Sequence, residues 1–225
     1  MHKLQTWGGI AAVINGVAYL IGIGMVVTIL APFLAASQAE KISFLLAHQT
    51  LMALWYLIIY LVAGVWMVPL ALGLQQRLQQ AAPNLLRVAT AMAIIWATTI
   101  LSSGMLLINN LKIIADLQHN DPAQTGAVWV AISAIASGLG GAIELPGGVW
   151  VSLISLAGLQ TKHLPKALNY LGLLVGVAGI ATVFPAFYEA GSIFGVGMIG
   201  WFFWVGIVLI RAKNIEHREK GKDEG

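Results

Sequence analysis

Long apolar runs separated by short polar gaps constrain this chain more than any other feature. They cover roughly 7–34, 43–74, 88–111, 125–160, 167–188 and 192–210. A membrane-crossing helix needs about 20 mostly apolar residues, and the runs reach or exceed that length. Backbone polar groups in lipid must be satisfied internally, which selects helices or closed barrels, and runs this long and continuous select helices. Only 9% of the residues are charged, against about 25% in an average globular domain. The sequence therefore predicts an all-α polytopic membrane bundle of six helices. Residues 1–214 form one transmembrane domain, and 215–225 form a tail.

The basic residues predict its orientation. Lys3 precedes the first run, Arg77 and Arg87 bracket the second gap, and Lys162 and Lys166 occupy the fourth. Arg211, Lys213, Arg218, Lys220 and Lys222 follow the last run, leaving only Lys41 and Lys112 for the other gaps. Cytoplasmic loops are enriched in Lys and Arg, so both termini are expected in the cytoplasm of a plasma (inner) membrane. Glu40, Asp116, Asp121 and Glu189 fall in the opposite gaps. The first run exceeds the apolar stretch of about 7–15 residues in a cleavable signal, so it is expected to remain as a span.

The net charge of +3 follows from these loops. No basic stripe interleaves with aromatics, so nucleic acid is not an expected partner. With no cysteine, disulfides, thiolate nucleophiles, iron–sulfur clusters and Cys-ligated zinc are excluded. The motifs GxxxxGK[ST], GxSxG and HExxH are missing, and no lysine lies mid-span to carry a retinal Schiff base.

The fourth run poses a length problem. Between Asp121 and Lys162 its only ionisable residue is Glu144, and one continuous helix would be about 60 Å long at 1.5 Å per residue. The hydrocarbon core is about 30 Å thick. Two full spans would send the basic tail outside. The expectation is one span over 140–160, a helix break at Pro146, Gly147 and Gly148, and an extra outer helix over 123–138. The second run carries a weak parallel echo of the fourth. Gly64-Val65-Trp66 precedes Gly73-Leu74-Gln75 and Pro83, as Gly148-Val149-Trp150 precedes Gly158-Leu159-Gln160 and Pro165. Either an internal repeat or convergence in similar composition explains it.

Gly147-Gly148-Val149-Trp150, the close at Gly158-Leu159, the loop Lys162-His163-Leu164-Pro165-Lys166 and the glycine-rich stretch 172–185 resemble a bacterial family of six-span membrane proteins. That family is defined only as a domain of unknown function. The resemblance is strongest over 147–210. It implies fold, topology and a bacterial inner membrane, and supplies no catalytic residues.

Glu144 is the sharpest candidate for function, because an intramembrane carboxylate is costly and a broken helix beside it builds a polar site at depth. The alternative is a hydrated position near the outer interface. His48, Asn109, Asn110, Tyr60 and Glu189 approach the same side, so Glu144, His48, Glu189, Asn109 and Tyr60 are the expected ligand-binding set. No spacing sets two metal ligands on one helix face, and neither a metal site nor a catalytic set is assigned. Asn15, Thr98, Thr99, Ser102, Ser103, Ser152 and Ser155 are expected to hydrogen-bond between helices. Gly172, Gly176, Gly179, Gly197 and Gly200 are expected to form close-contact faces, within the chain or in a homo-oligomer. Trp7, Trp55, Trp129 and Tyr188 are expected as interfacial aromatics.

Three functions fit. The first is binding or transport of a small or lipid-like molecule through an outward-facing polar pocket. The second is a non-catalytic membrane subunit that docks other membrane proteins or pigments. The third is an intramembrane enzyme using Glu144 and His48. The cofactor is left open, and the lipid bilayer is the expected surrounding.

Overall fold

The computed structural model describes residues 2–80 and 82–223, with side chains for 3–80 and 82–211. The side chains of Lys213, Arg218, Lys220 and Lys222 in the tail lie outside the described residues. Every regular element described is helical: α1 His2–Val27, α2 Ala31–Ala35, α3 Gln38–Ala47, α4 Gln49–Tyr56, α5 Ala63–Leu78, α6 Pro83–Asn120, α7 Pro122–Ala136, α8 Leu145–Thr161, α9 Lys166–Ala181 and α10 Ala190–Asp223. Wider π-helical segments, Leu57–Val62 and Ser137–Gly141, follow α4 and α7. Five helical segments are long and apolar enough to cross a membrane: Lys3–Val27, Gln49–Leu78, Pro83–Asn120, Pro122–Thr161 and Ala190–Arg211. Helix α9 is a shorter apolar helix, about 24 Å long at 1.5 Å per residue.

Six helices close into a ring, each packed on its two neighbours in the order α1, α5, α6, α8, α9, α10 and back to α1. Small residues make this possible. A Cβ added to Gly8 would lie 2.9 Å from the Cα of Gly73, so α1 and α5 touch backbone to backbone. Gly9 and Gly206 bring α1 and α10 equally close. Gly148 meets the backbone of Gly176 and Gly179, joining α8 to α9. Gly172 faces Ser155 and Trp201, and Gly197 faces Val175. Gly172, Gly176, Gly179 and Gly197 therefore serve contacts within the chain, whereas Gly200 has only Leu171 nearby, at 3.9 Å.

The ring closes around aromatic side chains. Trp96, Trp150 and Trp201 have no exposed surface, and Trp96–Trp150 and Trp150–Trp201 have ring centroids 5.8 and 5.3 Å apart. A second cluster joins α2, α3 and α4 to the far half of α6 and to α7, around Leu30, Phe33, Leu45, Met52, Leu111 and Trp129. Trp129 is thus buried against Phe33 instead of joining an interfacial belt, because α2 and α3 cover it.

The two ends of the bundle differ chemically. At one end Arg77 donates through Nε and Nη2 to the carbonyl of His163, both at 3.3 Å, which joins two of the basic gaps. At the other end Gln38 donates to the carbonyl of Gly126 at 2.9 Å, tying α3 to α7.

Boundaries differ from the sequence expectation for identifiable reasons. The first run breaks after Val27, where the Thr28 hydroxyl donates to the Gly24 carbonyl at 2.6 Å, and the chain restarts helically with Pro32 in the first turn of α2. The second run is cut at His48, which ends α3 and begins α4. Helix α6 extends well past 88–111, because Ile114 continues its apolar face into the second cluster. Helix α9 ends at Ala181, before a 3₁₀ turn at Pro185–Phe187, since proline cannot continue the ladder.

Most intraspan hydroxyls bond within their own helix instead of across helices. Thr98, Ser102 and Ser152 donate to the carbonyl four residues earlier, the partner nearest to a helical hydroxyl. Ser103 is the crossing case, donating to the Ala136 carbonyl of α7 at 3.0 Å. Asn15 is fully buried, and neither of its side-chain polar atoms finds a partner among the described residues.

Candidate functional site

The fourth apolar run does not bend at the glycines after Pro146. It bends before them. Gly140 has φ +118°, in the left-handed region that disfavours any residue with a Cβ. Ala142 leaves helical geometry, and Glu144 is the residue from which α8 starts. Pro146 lies in the first turn of α8, where a missing N–H costs nothing. Gly147 and Gly148 are helical. They serve as contact points, Gly147 against Trp96 and Phe194 and Gly148 against α9.

Irregular backbone packed inside a helical bundle needs internal partners, and here it has them. The amides of Ala142 and Ile143 donate to the Ser137 carbonyl at 3.2 and 3.3 Å. The amide of Glu144 donates to Thr182 Oγ1 at 2.9 Å, and that hydroxyl in turn donates to the Gly179 carbonyl at 2.7 Å. The Glu144 carbonyl accepts the amide of Gly148 at 2.8 Å, opening α8. Thr182, just past the end of α9, is therefore the clasp that fixes the break.

This backbone path turns the Glu144 side chain into the bundle. Its Oε2 accepts a hydrogen bond from Trp96 Nε1 at 3.2 Å. Trp96 is itself held edge-on against Phe194 and tilted against Trp150. The carboxylate so positioned lines a cavity of about 420 Å³. Six parts of the chain wall it, with Ile100 of α6 among the lining residues. Tyr19, Gly22 and Ile23 come from α1, Trp55 from α4, Ile59 and Tyr60 from the first π segment, Gly140 and Gly141 from the second, and Gly191, Ser192 and Gly195 from α10. Val27 and Val196 are 67% and 60% exposed and also line it, so the cavity is open on the flank between the end of α1 and the start of α10.

Local geometry explains the wall. The π segment Leu57–Val62 widens the helix and carries Ile59 and Tyr60 toward the cavity; such segments often occur at functional sites. Ile59 packs on Gly22, and Trp55 Nε1 donates to the Gly22 carbonyl at 3.3 Å. Tyr60 lies beside Gly104 of α6, and its hydroxyl lies against Gly141. The two π segments thus face each other across one space.

Of the expected ligand-binding set, the cavity unites Glu144 and Tyr60. His48, Asn109 and Glu189 are not among its lining residues. His48 is exposed at the junction of α3 and α4, its ring stacked on Phe44 at 4.3 Å and Nδ1 3.2 Å from the Phe44 carbonyl. An acid–base pair of Glu144 with His48 is therefore not assembled. Glu189 is exposed in the turn before α10, where its carbonyl accepts the amide of Ser192. Asn109 is exposed, while its neighbour Asn110 is buried, since helical rotation turns adjacent residues to different faces.

Sequence reasoning missed Tyr19 and Ile59, and it assigned Trp55 to an interfacial belt. Tyr19 carried a usable signal: a phenol deep within an apolar run usually has a polar partner. Among the described residues no group of three or more His, Cys, Asp or Glu side chains is placed to hold a metal ion.

A comparison with protein-family models, curated proteins and solved structures finds no match to the chain.

Proposed function

We propose that the protein is a six-span inner-membrane protein that binds or transports a small, lipid-like molecule in the cavity beside Glu144. The cavity carries this reading: about 420 Å³ of mostly apolar space with one inward carboxylate. Its volume falls within the roughly 300–1,000 Å³ typical of small-ligand sites, and an apolar wall with few polar groups is their usual chemistry. In this reading α9 is the sixth span, completed by the turns before α10. Both termini lie in the cytoplasm with the basic gaps, and the cavity opens toward the opposite side. The Arg77–His163 contact supports it by holding two basic gaps at one end of the bundle. Kinship with the six-span family resembled by 147–210 belongs to the same proposal.

The subunit reading has less support, because the glycine faces on α8, α9 and α10 are occupied by helices of the same chain. The reading is tested by mass spectrometry of small molecules retained in mild detergent. Wild type should retain a species that Gly195→Phe loses, since position 195 lines the cavity with its nearest foreign atom at 3.7 Å. Identical retained species in both would oppose it. A reporter fused after Lys222 should be cytoplasmic, and an external signal would overturn the topology.

A further inference from the structure

Resting on the reading of this cavity as a ligand site, we infer that its ligand is an amphiphile with one positively charged head. The head sits between the Glu144 carboxylate and the rings of Tyr19, Trp55 and Tyr60, and the alkyl part runs along Ile23 toward Val196.

The lining chemistry selects the charge. Glu144 brings the one carboxylate among the lining residues, and no Lys, Arg or His is among them. A charge facing apolar walls is costly unless it is paired, and a single bond from Trp96 leaves most of the carboxylate's acceptor capacity unused. A cationic head supplies what the wall lacks. The three aromatic side chains add to this, because ring faces attract cations, quaternary ammonium groups included. One feature points the other way: Gly191 and Ser192 begin α10, and helix N-termini favour anions. Their amides, however, already donate to the carbonyls of Tyr188 and Glu189 at 3.1 Å. An anionic head would also meet Glu144 directly.

The shape selects the tail. The cavity is bounded on one side by Glu144 and opens on the other between Val27 and Val196, both exposed apolar residues on the bundle flank. A head held at Glu144 would leave an alkyl chain along this apolar path into the surrounding lipid. A compact cation from water gains nothing from it.

The test uses the whole protein in phosphatidylcholine nanodiscs, with empty nanodiscs as background and tritiated octyltrimethylammonium as probe. Saturable binding at one probe per chain is expected. Octan-1-ol, octanoate and tetramethylammonium should each compete at least about tenfold less well than unlabelled octyltrimethylammonium. Glu144→Gln keeps the side chain's shape and an acceptor for Trp96, and should weaken probe binding about tenfold or more. Octanol competing as well as the cation, or full probe affinity in a folded Glu144→Gln protein, would overturn the positive head and leave the ligand cavity standing. Tetramethylammonium competing equally would overturn the tail. Failure of all four compounds to bind would overturn the cavity reading as well. The competition series on wild type decides the matter if Glu144→Gln fails to fold.

Discussion

The second and fourth apolar runs are built to one plan and end differently. In each, one helix (α4 or α7) widens into a π segment and is followed by a second helix (α5 or α8) near a Gly-Val-Trp triplet. In the second run the chain stays helical throughout: Val62 and Ala63 keep ordinary helical angles. In the fourth, Gly140 takes a positive φ and the helix stops for residues 142–144. The contrast separates two tasks. A π segment alone re-aims side chains such as Tyr60, whereas a π segment with a glycine that reverses φ lets the chain leave the ladder. Leaving the ladder is what brings a carboxylate to the cavity. The triplets diverge too: Gly64 and Gly148 each pack on the next helix in sequence, but Trp150 is fully buried while Trp66 is half-buried and stacks on Trp7 at 6.4 Å.

The tryptophans should show the largest difference. Trp150→Ala should destabilise the fold by about 3–5 kcal/mol, and Trp66→Ala by about 1 kcal/mol, because much of Trp66 already lies outside the core. Unfolding in mixed micelles followed by circular dichroism measures both, and equal losses would remove the contrast. The paired glycines come next. A Cβ at 148 would lie 2.6 Å from backbone atoms of α9, but at 64 it meets the movable side chain of Leu101 at 2.6 Å. Gly148→Ala should therefore cost about 1–3 kcal/mol and Gly64→Ala clearly less by the same assay. Gly140→Ala should cost about 1–2 kcal/mol through its φ alone. Gly138→Ala, two residues earlier with open space around it, should be neutral or stabilising.

The smallest effect lies where the two runs begin. Before the second run the Ser37 hydroxyl and amide donate to Glu40 at 2.7 and 2.8 Å. Before the fourth, Gln124 donates to Asp121 at 2.7 Å. The bonds from the hydroxyl and then the amide of Ser37 hold the Glu40 carboxyl below its ordinary range. A depressed carboxyl contributes stability above its unfolded pKa and loses it as pH falls through the folded value, so this contribution is present at neutral pH and fades in acid. Carbon-detected NMR of Glu40 should show its midpoint rising in Ser37→Ala.

Much of this was legible from residue types. Apolar runs bounded by charged gaps announce helices, and a lone Glu144 beside Pro146 in such a run marks an irregular site. Direction was harder to read. Gly140, Gly141, Gly147 and Gly148 lie within nine positions, and which of them turns and which packs depends on Trp96, Phe194 and α9, not on local sequence. The π segment Leu57–Val62 consists of ordinary aliphatic residues and one tyrosine, so nothing in it announces the wider turn. Helices apolar on every side lack the periodicity that tells inner faces from outer ones. That is why Tyr19 was overlooked and Asn109 was preferred to Asn110.

Glu144 lines a cavity reached from the flank between α1 and α10 and does not itself face open lipid. Labelling of membranes with the hydrophobic reagent dicyclohexylcarbodiimide, read out by peptide mass spectrometry, tests it directly. Glu144 should be modified in wild type and spared in Gly195→Phe, where the ring fills the approach. Equal modification in both proteins, or none in wild type, would contradict it.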